Sequence, residues 1–348
     1  MRHPIVEADL QTILGAKCDW SALAGATVVI SGAAGFLPAY LVETLLAFNE
    51  RNEQDATQVI GLVRNIKRAR ERLRGYEGRS DLLLIEHDIT HPTPEIKAAD
   101  YIVHAASHAS PKLYRHDPVG TIAANTVGTE NLLRLAHSRE TRRFLYFSSS
   151  EIYGDAPIRV PTAEGDYGPL DCLNVRSCYA ESKRLGETLC VSWKEQFGVP
   201  IVIARPFHTY GPGMRLDDGR VFADFVNDVL QRRPIILKSS GSASRAFCYL
   251  GDATSGFLTI LLHGTVGQAY NIGNDQCESS ISGLADLLVS LFPERELSVV
   301  QQARKQDDPY LPSKLERSCP DTTLVRKLGW NPTTSLPEGF RRTVRSFE

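Results

Sequence analysis

The chain is expected to fold as an α/β protein: a Rossmann-type doubly wound parallel sheet with a smaller C-terminal lobe that binds substrate. Three observations carry this expectation. A short apolar run ends in a turn built on Gly32 and Gly35. Further apolar runs then alternate with helical stretches as far as residue 148, the rhythm of parallel strands joined by crossover helices. After Pro206 that rhythm is lost and Gly, Pro and Asp become frequent, as suits a smaller lobe over the sheet edge.

Taken in order, residues 1–24 read as a short leading helix and loop, with Trp20 packing onto the fold. Residues 27–31 (TVVIS) form the first strand, apolar enough to be buried on both faces. The glycine turn opens a helix over 39–48. Strands follow at 59–63, 81–85, 101–107 and 143–148, with a helix over 121–137 among the connections. A sixth strand, 201–204, closes a mainly Rossmann segment spanning 25–205. Helices near 221–231 and 281–292 belong to the lobe of 206–348, parts of which return to the first domain.

Composition narrows the function classes. The 348 residues suffice for a large core, and 42% hydrophobic with 23% charged residues is ordinary for a globular enzyme. A net charge of −2 leaves no basic footprint for nucleic acid or an anionic membrane. No apolar run reaches spanning length, and residues 1–9 carry acids in place of a signal-peptide core. The seven cysteines are scattered and none forms C-x-x-C, so they read as reduced thiols of a cytoplasmic protein, with no metal site expected.

Gly32-Ala33-Ala34-Gly35-Phe36-Leu37 lets backbone approach a pyrophosphate at the positive end of the following helix. Pro38 takes the place of a third glycine, which a first helical turn tolerates. The second strand ends in Val63-Arg64 where NAD sites usually carry an acid, so NAD is the expected cofactor and Arg64 keeps NADP as the alternative. Asp88 and Ile89 fall near the adenine, although Asp88 also suits a cap. Ala105, Ala106, Ser107 and Pro206 lie at strand carboxyl ends, where ligands bind in such sheets.

Tyr179 and Lys183 stand four residues apart, on one face of a helix. For Tyr179 to act as a base near neutrality its pKa must fall by roughly 3 units, about 4 kcal/mol. One cation at about 4 Å supplies that much at an effective dielectric of ~20. Such a tyrosine takes the proton of an alcohol while a nicotinamide takes the hydride. Ser149 and Ser150 leave the fifth strand where a substrate hydroxyl would sit, and Glu151 can move a proton at the adjacent carbon. Ser148-x-x-Glu151 is equally a capping-box pattern. Arg176, Arg220 and Arg245 are candidates to clamp a diphosphate.

Together these residues resemble the extended short-chain dehydrogenase/reductase family, within it the nucleotide-sugar epimerases and dehydratases, and especially the UDP-glucuronate decarboxylases. The likeness spans roughly residues 25–345. It rests on Ala109-Ser110-Pro111, Asp117-Pro118, Asn125-Thr126-Val127-Gly128-Thr129, Ser150-Glu151-Ile152-Tyr153-Gly154, Tyr179 with Lys183-Arg184, Thr209-Tyr210-Gly211-Pro212, Asp218-Gly219-Arg220 and Ser244-Arg245-Ala246-Phe247. The resemblance implies that Tyr179 deprotonates the sugar C4 hydroxyl, Lys183 holds the nicotinamide ribose, Ser149 and Ser150 assist, and Glu151 acts at C5. It places Asn125 near the cofactor, and Ser110, Pro111, Arg176, His208, Arg220 and Arg245 against a nucleotide-sugar. It also implies a homodimer formed through the helices bearing Asn125 and Tyr179.

Departures from that likeness are His208 where an asparagine is usual, Gly213 where an arginine is usual, Val63-Arg64 in place of an acid, and serine at 149. A sugar 4,6-dehydratase and a 4-epimerase therefore remain alternatives. A non-catalytic dinucleotide sensor on the same fold is the reading from another class; joint retention of Ser149, Tyr179 and Lys183 argues against it.

Overall fold

A computed structural model describes residues 2–302 and 315–348, without the side chains of 111–113. The chain runs α1 (Pro4–Leu14), β1 (Thr27–Ser31), α2 (Phe36–Asn49), β2 (Gln58–Val63), α3 (Ile66–Arg72), β3 (Leu82–Glu86), β4 (Tyr101–His104), α4 (Pro111–His116), α5 (Pro118–Ser138), β5 (Arg143–Phe147), α6 (Ser177–Phe197) and β6 (Ile201–Pro206). It continues through β7 (His208–Tyr210), α7 (Val221–Leu230), β8 (Ile235–Leu237), β9 (Ser244–Tyr249), α8 (Leu250–His263), β10 (Ala269–Ile272) and β11 (Glu278–Ser280). Then come α9 (Ile281–Leu291), β12 (Val299–Gln301), β13 (Arg317–Ser318), α10 (Thr323–Lys327) and α11 (Leu336–Arg345).

Seven strands form one parallel sheet in the order β10-β6-β5-β4-β1-β2-β3. The chain progresses outward on either side of β1, so the crevice at the carboxyl ends of β1 and β4 is the topological switch point. Alternation explains the apolar runs. Val28 and Ile30 of β1, Leu145 and Phe147 of β5, and Val202 and Ala204 of β6 join a core shared with α1, α2 and α8. Val29, Phe144, Tyr146, Ile201 and Ile203 point the other way, onto Leu132 and Leu133 of α5 and Cys190 of α6. Both faces are covered, so neither set can be polar. The seventh strand, β10, lies in the stretch expected to be irregular, and the third begins at Leu82, one residue later than the apolar pattern suggested.

A separate core, built on Phe222, Phe225, Phe247, Leu284, Leu288 and Phe340, organises the remainder. In it Tyr210 and Phe340 stack with centroids 4.0 Å apart. β9 carries β11 and β13 as partners and pairs with β7, which suspends His208 and Arg245 over the main sheet's edge.

The leading residues are part of the fold. α1 packs on α2 and α8, and Trp20 stacks on Phe48 at 5.5 Å. Buried Asp9 accepts hydrogen bonds from Tyr40 (2.6 Å) and Tyr249 (2.7 Å) and pairs with Arg342. Tyr40 lies on α2, Tyr249 ends β9 and Arg342 lies on α11, so one carboxylate fastens the N-terminal helix to both cores. Burial raises its pKa, and the three donors oppose that. Asp9→Ala, which strands these donors, is expected to lower stability by about 3 kcal/mol, read as a lower urea midpoint at unchanged slope.

Candidate active site

A cavity of about 590 Å³ opens at the carboxyl ends of the sheet and is closed above by the second core. At its floor, Gly32 has φ +67, and a Cβ there would stand 2.8 Å from Ala106 Cα, so both the turn and the neighbouring strand demand glycine. Gly35 caps α2 without a side-chain bond. Pro38 has no N–H and Ala39 donates to Gly35 O, which leaves the N–H groups of Phe36 and Leu37 as the first-turn donors without a helical partner. Gly35, Phe36 and Leu37 line the cavity. Two backbone donors at a helix N-terminus make an anion seat, and Ala34 lies in the turn between them and β1. Ser31 Oγ accepts from the N–H groups of Ala105 (3.1 Å) and Ala106 (3.2 Å) and bonds His104 Nδ1 (2.8 Å), which fixes the opposite lip. Ser107 Oγ, on the cavity wall, is buried without a protein partner. This cradle fits the pyrophosphate and ribose of a dinucleotide.

Farther along the same crevice the structure places Arg64 at the end of β2, 2.7 Å from His108 Nε2. Asp88 Oδ1 accepts from the N–H (3.0 Å) and hydroxyl (2.8 Å) of Thr90, a local turn that holds its carboxyl below the usual range. Ile89 is buried against Gly128 of α5. Asn125 lies outside the cavity lining, between α5 and α6, where its Nδ2 donates to Ser182 Oγ at 2.9 Å. Pro206 ends β6 on the cavity wall.

The reactive wall is the junction of β5 and α6. Ser149, Ser150, Glu151, Tyr179 and Lys183 all line the cavity. The Ser149 hydroxyl lies beside the Tyr179 phenol and opposes the rise in its pKa, and it accepts the Glu151 N–H at 3.1 Å. The cap of the 3-10 turn at Ser150–Tyr153 is thus Ser149, while Ser148 Oγ is buried without a partner. Glu151 serves no capping box; its carboxylate faces Arg176 Nη2 at 3.0 and 3.1 Å. Tyr114 of α4, not singled out from the sequence, stacks on Tyr179 with centroids 5.3 Å apart and planes 14° apart. An aromatic in a short helix carries no spacing signal that would mark it.

The electrostatics differ from the expectation of a cation about 4 Å from the phenol. Lys183 Nζ donates to Phe147 O at 2.6 Å and lies 5.9 Å from the Tyr179 ring centroid. Burial pushes Lys183 down to about 7. Burial also pushes Tyr179 up to about 12, with Ser149 the main opposing group. Two buried groups that each resist ionisation give no lowered phenol by themselves; further positive charge must come with the reacting molecules.

Across the cavity stand the groups expected to meet substrate. Arg220 bonds its neighbour Asp218 (2.6 Å from Nε), and Arg245 donates to the carbonyls of Ser244, Leu315 and Glu316. His208 is half-buried on β7 with its Nδ1 unpartnered, and burial, then Arg245 and Arg220, push it down to about 3. Ser110 lies apart from the lining and donates to Asp218 O at 2.6 Å, bracing the loop that carries Arg220. Pro111 opens α4, and its ring lies outside the described residues. Gly213 is also off the cavity: it has φ +75, and a Cβ there would meet Arg72 Nη2 at 2.8 Å. Lys238 joins the lining from the end of β8.

Residues 28–273 match the family described as NAD dependent epimerase/dehydratase. The chain belongs to that family. It is a nucleotide-sugar-modifying enzyme of the extended short-chain dehydrogenase/reductase group, 38% identical over 315 residues to UDP-glucuronic acid decarboxylase 5 of Arabidopsis thaliana, with 90% of this chain and 86% of the relative covered. UDP-glucuronic acid decarboxylase 1 of Xenopus tropicalis is 36% identical over 322 residues, covering 92% and 72%. Among solved structures, UDP-glucuronic acid 4-epimerase from Bacillus cereus superposes with a TM-score of 0.76 at 23% identity, covering 92% of this chain and 98% of that one. The dTDP-glucose 4,6-dehydratase DesIV from Streptomyces venezuelae gives 0.76 at 24%, covering 92% and 96%. These two likenesses support the Rossmann-type fold.

Two outcomes follow from this geometry. Tyr179→Phe is expected to cut turnover by about 10²–10⁴-fold at an unchanged melting temperature. Folding lowers the Lys183 pKa to about 7, so above that pH the unfolded chain holds a proton that the folded chain lacks, and stability rises with pH. The rise reaches at most about 1.4 kcal/mol per pH unit and continues to the ordinary lysine value. Lys183→Met is expected to abolish this increment, read by denaturant unfolding at several pH values.

Proposed function

We propose that the enzyme decarboxylates a UDP-glucuronate-like nucleotide-sugar by transient oxidation at C4, with NAD as its bound cofactor. The observation that carries this reading is the Ser149–Tyr179 hydroxyl pair with Glu151 on the same wall, in a chain 38% identical to a UDP-glucuronic acid decarboxylase. The cradle at Gly32, Gly35, Phe36 and Leu37 would hold the pyrophosphate. Lys183 lies where the nicotinamide ribose would meet it, with Ala105, Ser107 and Pro206 around the ring. When bound, the cofactor supplies a hydride acceptor and a positively charged ring.

Ser149 and Tyr179 hold the C4 hydroxyl between them, and Tyr179 takes its proton. The ketone so formed makes the C6 carboxylate a β-keto acid, from which carbon dioxide leaves as its bonding electrons enter the C4 carbonyl. Ser149 and Tyr179 stabilise the enolate oxygen by hydrogen bonds aimed at it in advance. Glu151 governs the proton at C5. A bound cofactor would return the hydride to C4 and would not need to dissociate. Arg220, Arg245 and His208, on the lobe, would face the diphosphate. A dehydratase of the dTDP-glucose type would present an acid where Ser150 stands, which favours the decarboxylase. Arg64, beside His108, keeps NADP as an alternative cofactor.

The assembly proposed is a homodimer in the cytoplasm. Val119, Ile122 and Val127 of α5 and Leu185, Val191 and Phe197 of α6 are exposed apolar side chains on adjoining helices, a surface suited to a second copy. No described helix is long and apolar enough to cross a membrane, and all seven cysteines are free thiols, which fits a reducing compartment.

The test is mass spectrometry of purified enzyme with UDP-glucuronate, UDP-glucose, dTDP-glucose and GDP-mannose in parallel. A product lighter by one carbon dioxide from the uronate alone is expected; loss of water from a neutral sugar would replace this reading with a dehydratase. Glu151→Gln is expected to slow formation of the decarboxylated sugar by about 10²–10⁴-fold, with reduced cofactor building up near 340 nm because oxidation at C4 still proceeds.

A further inference from the structure

We propose that Ser148 is a cofactor-positioning residue whose hydroxyl receives a polar group of the nicotinamide nucleoside. The inference rests on the reading of NAD as the bound cofactor and deepens it. It begins with a hydroxyl that the fold leaves over. Ser148-x-x-Glu151 is a capping-box pattern, yet Ser149 caps the 3-10 turn and accepts the Glu151 N–H. Ser148 is thereby released from capping. It is 3% exposed, its Oγ has no hydrogen-bond partner in the protein, and it lines the active-site cavity. A buried hydroxyl without a partner is costly, and in folded proteins such groups call for a specific explanation.

Position identifies the ligand. The sheet runs β5-β4-β1, so a dinucleotide seated on the glycine turn after β1 reaches the β5–α6 wall by crossing the end of β4 and then that of β5. His104 pairs with Tyr146; Ala106 and Ser148 each lie two residues beyond that pair, on neighbouring strands. Ala106 is the residue that a Cβ at Gly32 would meet, so it links the glycine turn to Ser148. The backbone of Ser148 is fixed there, its N–H donating to Ala204 O at 2.8 Å. The carbonyl before it, of Phe147, accepts Lys183 Nζ at 2.6 Å. The hydroxyl after it, of Ser149, lies beside the Tyr179 phenol. Ser148 therefore stands between the lysine expected at the nicotinamide ribose and the reacting pair. A serine hydroxyl both donates and accepts, which matches the ribose hydroxyls and carboxamide of that nucleoside. Ser107 Oγ, likewise unpartnered on the wall, follows β4 and belongs to the cradle nearer the glycine turn.

The test uses the full chain freed of nucleotide, with NAD, ADP and UDP as probes in calorimetry and thermal unfolding. Ser148→Ala is expected to weaken NAD by roughly tenfold. ADP, which lacks the nicotinamide nucleoside, and UDP are expected to change by less than about twofold. Without nucleotide, loss of an unpartnered buried hydroxyl is expected to leave the melting temperature unchanged or higher, while the rise on adding NAD shrinks. A fall in the nucleotide-free melting temperature marks a packing role and overturns the assignment. Ser148→Cys, which nearly keeps the side-chain volume but bonds weakly, is expected to weaken NAD as the alanine does. Unchanged NAD affinity in both variants, or equal weakening of NAD and ADP, also overturns it. No NAD binding by the unaltered chain overturns the cofactor reading itself, whereas binding that neither variant disturbs overturns only the role of Ser148.

Discussion

The hydrogen bond from Lys183 Nζ to Phe147 O is the point on which the reactive wall depends. It joins the middle of α6 to the last residue of β5, the two elements that supply the hydroxyl pair. An ammonium is costly to bury, and this one, 2% exposed, is held at the threshold of losing its proton. The arrangement persists because a carbonyl accepts from it and the face of Tyr146 lies 4.9 Å away. Its consequence is geometric: Tyr179, one turn earlier on α6, is set against Ser149, two residues beyond Phe147.

A buried ion pair supports this hydrogen bond from one turn farther along. Glu187 follows Lys183 by four residues and accepts from Arg205 of β6 at 2.8 and 2.6 Å. Arg205 also donates to Tyr153 OH (2.9 Å), Tyr167 OH (2.7 Å) and Glu164 O (2.6 Å). The turn bearing Ser150 and Glu151, the helix bearing Tyr179 and the strand leading to His208 are therefore referenced to one guanidinium. Such a network contributes little net stability, because desolvation offsets most of its attraction, but it fixes relative position. Here that position is the separation between Glu151 and the hydroxyl pair.

Much of this was legible in the sequence because it obeys local rules. Strand runs apolar on both faces, the Gly32–Gly35 turn and the four-residue spacing of Tyr179 and Lys183 are written in neighbouring residues. What escaped is set by long-range contact. β10 is four residues long and earns its place only by pairing with β6. Asp9 finds its three donors 31, 240 and 333 positions away. The partner of Arg176 proved to be Glu151, which no spacing rule could foretell. Gly213 gained a physical account: the volume beside it is filled by Arg72, which approaches from α3. The expectation that Lys183 alone would lower the Tyr179 pKa treated two charges in isolation and left out the burial of both.

The chemistry that follows is one of storage. A phenol held up by burial is a poor base until positive charge arrives with the cofactor, which ties proton removal to a fully assembled site. In the proposed reaction the carboxylate would leave only while C4 is a ketone, and return of the hydride removed from C4 would erase that ketone. The most direct measurement uses UDP-glucuronate carrying deuterium at sugar C4, with the product examined by proton NMR. Retention of deuterium at C4, together with a new hydrogen from solvent at C5, is the predicted result. Loss of the C4 deuterium, or carbon dioxide release without any transfer from C4, would contradict it.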